Sequence, residues 1–124
     1  MEFPEDLKYT KDHEWVRVEG NTARVGITDY AQSKLTDIVY LELKDVGTRV
    51  EIGDEIGVVE SVKFISEIYT PVTGKIIDVN KELEDFPERI NQSPYESWLV
   101  LIEMENPSEI DELMNFDEYR RFVS

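Results

Sequence analysis

The chain has 124 residues, enough to bury one hydrophobic core without disulfides or metals, and its 40% hydrophobic and 33% charged content is that of a soluble globular protein. A balance of 13 basic against 28 acidic residues gives a net charge of -15, which argues against nucleic acid or an anionic membrane surface as partner. Cysteine is absent, so any thiol chemistry would have to arrive on an attached group.

The opening stretch MEFPEDLKYT is acidic and lacks an apolar core, so it reads as neither a signal nor a transit peptide. No run approaches the length of a membrane span. EWVRVEGNTARVGIT alternates, with Val16 and Val18 opposing Arg17 and Glu19 and with Gly20-Asn21 at the bend, and predicts a hairpin. Thr28 then reads as the N-cap of a short helix that turns Tyr30, Ala31 and Leu35 inward. DIVYLELKDVG predicts a strand with Val39, Leu41 and Leu43 on one face, and EIGVVES predicts another. Around Lys63 the pattern is roughly mirrored: short β-branched strands flank it, and Gly53 and Gly74 mark turns at matching distances, as in a pseudo-symmetric β-sandwich. The end changes character. Ser108 with Asp111, then Asn115 with Glu118, read as capping patterns for one or two short helices over about 108–123 that cover a sheet edge.

Catalysis by the chain's own residues finds little support. His13, the only histidine, could be set with Ser61 or Ser33, but no G-x-S-x-G elbow exists. Asp78, Asn80 and Glu82 have calcium-loop spacing, yet Leu83 stands where such a loop needs glycine and Arg89 where it needs the bidentate glutamate. Neither a P-loop nor a G-x-G-x-x-G run appears. One feature does call for chemistry. Lys63 stands alone at the bend of an apolar hairpin in an acidic chain, and an exposed amine on a rigid projection is what acylation with a long arm requires. Keeping the hairpin end wet is the plainer role for such a lysine. Phe64 and Ile65 follow it directly; alternation should send one toward the core and leave the other beside the arm, for partner recognition or cover.

The stretch VVESVK followed by SEIYTPVTGKIIDVN resembles the lipoylation motif of the glycine cleavage system H-protein family. The likeness runs almost the full length, through YTKDHEWVRVEG, VGITDYAQSKLTDIVYLEL, VGTRVEIGDEIGVVESVK, PERINQSPYESWL and IDELMNFDEYRRF. It implies an all-β, lipoyl/biotinyl-type barrel-sandwich hybrid formed by a single domain over residues 1–124, with lipoate in amide linkage to Lys63. It further implies a non-catalytic carrier that takes the aminomethyl group of glycine from a pyridoxal-phosphate glycine decarboxylase to a tetrahydrofolate-dependent aminomethyltransferase. Dihydrolipoyl dehydrogenase and a lipoyl-attaching enzyme would be its other partners. Glu14, Tyr30 and Glu67 match positions of the family's arm-sheltering cleft, where histidine often replaces Tyr30. A monomer in a bacterial cytoplasm is expected, or in the mitochondrial matrix where a transit peptide has been removed. The chain departs from the family pattern at Phe64-Ile65, at Pro94-Tyr95-Glu96-Ser97-Trp98, which lacks the usual glycines, and at Asp12. An H-like carrier in sulfur-compound oxidation or lipoyl relay is the second reading. A biotinyl carrier, whose motif resembles M-K-M, and an unmodified interaction module complete the alternatives.

Overall fold

Alternation of branched inward residues with polar outward ones builds nine short strands in the structure, a computed structural model that describes residues 1–124. They are β1 (Lys8–Tyr9), β2 (Glu14–Glu19), β3 (Thr22–Ile27), β4 (Ile38–Leu43), β5 (Arg49–Val50), β6 (Glu55–Ser61), β7 (Ile65–Tyr69), β8 (Gly74–Val79) and β9 (Val100–Met104). Six form one antiparallel sheet in the order β1-β2-β3-β9-β8-β5, and three form a second in the order β4-β6-β7. A cluster of 20 buried residues, among them Val25, Leu41, Ile56, Val59, Ile76 and Ile102, makes the main core. This is the expected all-β sandwich with short helices.

The predicted hairpin forms, with Glu19 opposite Thr22 across Gly20-Asn21, and Gly20 takes the positive φ of 62° that such a turn favours. Helix α1 (Asp29–Leu35) is capped by Thr28, whose hydroxyl accepts from the Ala31 N–H at 3.1 Å. Its residues Ala31 and Leu35 rest half-buried on the core.

Two expectations fail for reasons of register and packing. Val39 does not share a face with Leu41 and Leu43: the pairing of β4 with β6 shifts between Ile38 and Tyr40, so Ile38 turns inward and Val39 is left exposed. Gly74 marks no turn; it opens β8, where a Cβ would stand 2.0 Å from the Glu103 carbonyl oxygen. The glycine there permits close strand approach.

After β9, a 3-10 helix (Pro107–Glu112) begins behind Asn106 without a side-chain cap. Ser108 is not a cap: its hydroxyl donates to Asn106 Oδ1 at 2.6 Å. The second pattern does form, as Asn115 and Glu118 make a reciprocal capping box at the start of the C-terminal helix (Phe116–Val123). Two helical turns that the periodicity did not predict, α2 (Glu82–Asp85) and α3 (Arg89–Gln92), lie between β8 and β9; the C-terminal helix is therefore α4.

Two of the four sheet edges, β1 and β4, are covered by these additions. Tyr9 of β1 exchanges two backbone hydrogen bonds with Met114, at 2.8 and 2.9 Å. On edge strand β4, the Leu43 N–H donates to Glu84 Oε2 at 3.1 Å and the Ile38 N–H to Asn91 Oδ1 at 2.9 Å.

Candidate functional site

Lys63 sits between β6 and β7, and its side chain is exposed with no ion pair. Ser61 shapes this turn. Its hydroxyl accepts from the Lys63 N–H at 3.2 Å and the Phe64 N–H at 2.9 Å, while its own N–H donates to the Phe64 carbonyl at 2.8 Å. A hydroxyl two residues before a turn residue does what a backbone carbonyl would otherwise do. That makes Ser61 a positioning residue for Lys63. The sequence carried the signal, a serine at the end of a strand, but without the pairing register its target could not be assigned.

Phe64 and Ile65 both face solvent, 55% and 73% exposed, contrary to the expected one in and one out. Phe64 belongs to the turn and so escapes the strand's alternation. Ile65 lies opposite Glu60 on the outer face of the sheet, and the next inward positions fall to Ser66 and Ile68.

Beside β7 lies a cleft of about 290 Å³. Glu14 from β2, Tyr30 from α1 and Glu67 from β7 all line it, with Val59 and Leu35 among the apolar walls. The structure brings those three together, whereas Lys63 is not among the lining residues and stands beyond the start of β7. Asp12 reaches the same cleft. A larger hollow of about 580 Å³ between Asn80, Arg89 and Trp98 is polar, but no buried side-chain polar atom anywhere lacks a partner. Nothing in that hollow asks for a ligand.

Glu14 is only 2% exposed although it carries an ionisable group. Its Oε1 accepts from the Thr10 hydroxyl at 2.6 Å, and its Oε2 faces the Tyr69 N–H on the free edge of β7 at 3.4 Å. Burial pushes its pKa up to about 7; the Thr10 and Tyr69 hydrogen bonds oppose that rise, and the Asp12 charge adds to it. Below pH 7 it is a carboxylic acid that can donate a hydrogen bond, and above it a carboxylate that can hold a cation. Glu67 is exposed at the rim, where its Oε2 accepts from the Tyr69 hydroxyl at 2.6 Å.

The back of the cleft is set by contacts that no local pattern reveals. The Tyr119 hydroxyl, from α4, lies 2.8 Å from His13 Nδ1 and 2.8 Å from the Thr28 hydroxyl. His13 holds a positive φ of 69°, and its ring packs on Tyr30 with centroids 4.7 Å apart. Burial lowers the His13 pKa, against the Asp12 charge. With His13 neutral, Tyr119 can donate to the ring and accept from Thr28. Tyr119 itself belongs to a second buried cluster with Leu7, Tyr9, Trp15 and Tyr95. His13 thus has a packing role here.

The parts a carried group needs are present. They are an accessible amine on a pinned turn and, a few residues along the same strand, a half-apolar cleft with one buried carboxyl group.

Comparison with known proteins gives one answer at three levels. The sequence profile of the family described as glycine cleavage H-protein matches residues 7–124. Proteins named glycine cleavage system H protein from Halalkalibacterium halodurans and Brevibacillus brevis are each 52% identical, over 98% and 99% of this chain and 96% and 98% of their own length. The crystal structure of a glycine cleavage system H protein from Mycobacterium marinum superposes with a TM-score of 0.87 at 36% identity, covering 95% of this chain and 96% of that one.

Proposed function

This chain belongs to the glycine cleavage H-protein family, and from that premise we propose that Lys63 bears the family's lipoyl group in amide linkage. Its general role follows from membership: it is a non-catalytic lipoyl carrier of the glycine cleavage system and works with the other components of that system. The proposal concerns which residues of this chain do so. The observation that carries it is the exposed, unpaired Lys63 on a turn whose backbone is held by Ser61.

When attached, the lipoyl group supplies the reactive disulfide on which an aminomethyl unit is carried; the chain has no thiol of its own. The remaining tasks fall to side chains. Lys63 provides a nitrogen with a long stem. Glu14, Tyr30 and Glu67 would line the shelter, Glu14 and Glu67 offering oxygens to a protonated amine and Val59 and Leu35 offering apolar cover. In this reading residues 1–124 act as one carrier domain, a monomer in the bacterial cytoplasm. It is served by a lipoyl-attaching enzyme and meets in turn glycine decarboxylase, aminomethyltransferase and dihydrolipoyl dehydrogenase. The net charge of -15 would steer it toward basic docking faces, so association rates should fall as salt rises.

Incubation with a lipoate ligase, ATP and lipoate tests the assignment. Intact mass and peptide mapping should find a single lipoyl mass, on Lys63. A lipoyl mass on another lysine, or none on folded protein, overturns it.

A further inference from the structure

With Met114 on β1 and with Glu84 and Asn91 on β4, two sheet edges stay uncovered: β5, of two residues, and β7, of five. Only β7 is long enough to act as a template. Its register says which of its backbone groups face outward. The Ser61 N–H donates to the Phe64 carbonyl and the Thr70 N–H to the Asp54 carbonyl, so the even-numbered residues of this segment turn their backbone groups toward β6. Ile65, Glu67 and Tyr69 turn theirs to the open side. Glu14 Oε2 faces the Tyr69 N–H there at 3.4 Å. The Ile65 and Glu67 N–H groups point the same way with no acceptor from the protein.

This row of donors borders the cleft, which Ser66, Glu67 and Ile68 line together with Tyr30, Lys34 and Leu35 of α1. Lys63 stands two residues before Ile65, about 7 Å of extended chain, and a lysine stem of four methylenes has a similar reach. An acyl group on its nitrogen therefore brings its carbonyl beside Ile65 when the side chain lies back along the strand. The rest of the group then runs on toward Glu67 and Glu14. A trans amide aims its C=O and N–H in opposite directions, so one of the two meets the edge.

We propose that the free edge of β7 is a backbone binding site for the arm: when the arm lies in the cleft, the Ile65 N–H donates to the carbonyl oxygen of the amide formed on Lys63. The inference rests on the assignment of Lys63 as the attachment point and of the cleft as the arm's shelter. The carbonyl is the half of the amide that binds, because an orphaned N–H is the rarer defect in folded proteins and the edge offers two of them. Glu14 and Glu67 hold the far end when it carries a protonated amine, so the edge is fully engaged in the loaded state. The other occupant such an edge invites is a strand of a second copy. A net charge of -15 and the Glu67 side chain on the edge strand itself set two copies against each other.

The test uses the full chain, 15N-labelled, lipoylated, and loaded from glycine by a catalytic amount of glycine decarboxylase, with solvent exchange of single amides read by NMR. Exchange of the Ile65 amide should slow about fivefold or more on loading, while the Leu43 amide, already held by Glu84, should not change. A second measurement is alkylation of the loaded arm's free thiol by iodoacetamide. Ile65→Pro removes the donor where an edge strand tolerates proline and should speed alkylation several-fold. Ile65→Ala keeps the N–H and should match the parent. Thermal midpoints report that each variant is folded, and the exchange measurement on the parent needs neither variant. Where the parent's thiol reacts more slowly than free dihydrolipoamide, unchanged Ile65 exchange, or equal alkylation of folded Ile65→Pro and Ile65→Ala, overturns the edge site alone. A parent thiol as reactive as free dihydrolipoamide overturns the shelter, and absence of lipoyl mass on Lys63 overturns the attachment; each takes the edge site with it.

Discussion

The turn at Lys63 and the back of the cleft differ in almost every physical respect. The turn is solvated, apolar on its surface, and held by one serine hydroxyl. The back of the cleft is buried and cross-linked from three distant parts of the chain, with His13, Thr28 and Tyr119 joined through one phenol oxygen. Tyr9 and Tyr119 stack there with centroids 4.6 Å apart, and the Trp15 indole N–H donates to the Pro94 carbonyl at 3.0 Å. The difference teaches how the labour is divided. In the proposed reading, the amine that other proteins reach stands where little else depends on it, while the surface that would receive its arm is built into the fold.

Changes at four positions would break or sharpen that contrast. The largest effect belongs to Tyr119→Ala, which removes a fully buried ring and should cost about 4 kcal/mol. The corresponding fall in Tm is on the order of 15 °C by calorimetry. Tyr119→Phe, which keeps the ring and loses both hydroxyl contacts, should cost about 1–2 kcal/mol.

Next comes Glu14. Its folded pKa of about 7 lies above the ordinary value of 4.5, so the folded state binds more protons and stability falls as pH rises through that window. Above pH 7 the loss is complete, about 3 kcal/mol. Glu14→Gln should remove this slope, so the variant's Tm gains on the parent's between pH 5 and 8. His13 acts with the opposite sign. Its lowered pKa makes stability fall as pH drops below 6.5, and Glu14→Gln leaves that limb in place. Parallel Tm curves for the parent and Glu14→Gln would show that Glu14 is not buried neutral.

Ser61→Ala ranks third. It should cost the fold about 1 kcal/mol or less, yet amide exchange at Lys63 and Phe64 should speed up several-fold, because both N–H groups lose their acceptor. Unchanged exchange at those two amides would mean that the turn is held by strand pairing alone.

The smallest effect belongs to Lys63→Gln. Stability should move by less than about 0.5 kcal/mol, while lipoyl attachment disappears altogether. A large stability loss would contradict the isolation of this side chain.

The sequence made legible whatever rests on neighbours along the chain. The Gly20-Asn21 hairpin, the Thr28 cap and the Asn115–Glu118 capping box each need only three or four residues to define them, and each is present. The family motif around Lys63 was legible for the same reason. Val39 was misplaced because one extra residue in a strand reverses every side chain beyond it, and nothing local announces the shift. The outward turn of Ile65 depends likewise on a register, that of β6 with β7. Helices α2 and α3 are four residues each and have no side-chain cap, so they leave almost no periodicity to detect. The contacts of Tyr119 span 106 and 91 residues. Its burial could be guessed from helical spacing, but its partners could not.

The outer edge of β4 has a consequence at high concentration. An unoccupied strand edge invites the next copy to add itself, and repetition of that event draws protein out of solution as ribbons. Here the Glu84 carboxylate and the Asn91 amide already hold two of the backbone donors that such growth would recruit. Both come from the short helices α2 and α3, which otherwise look like padding between strands. They let the carrier become crowded without becoming a fibre.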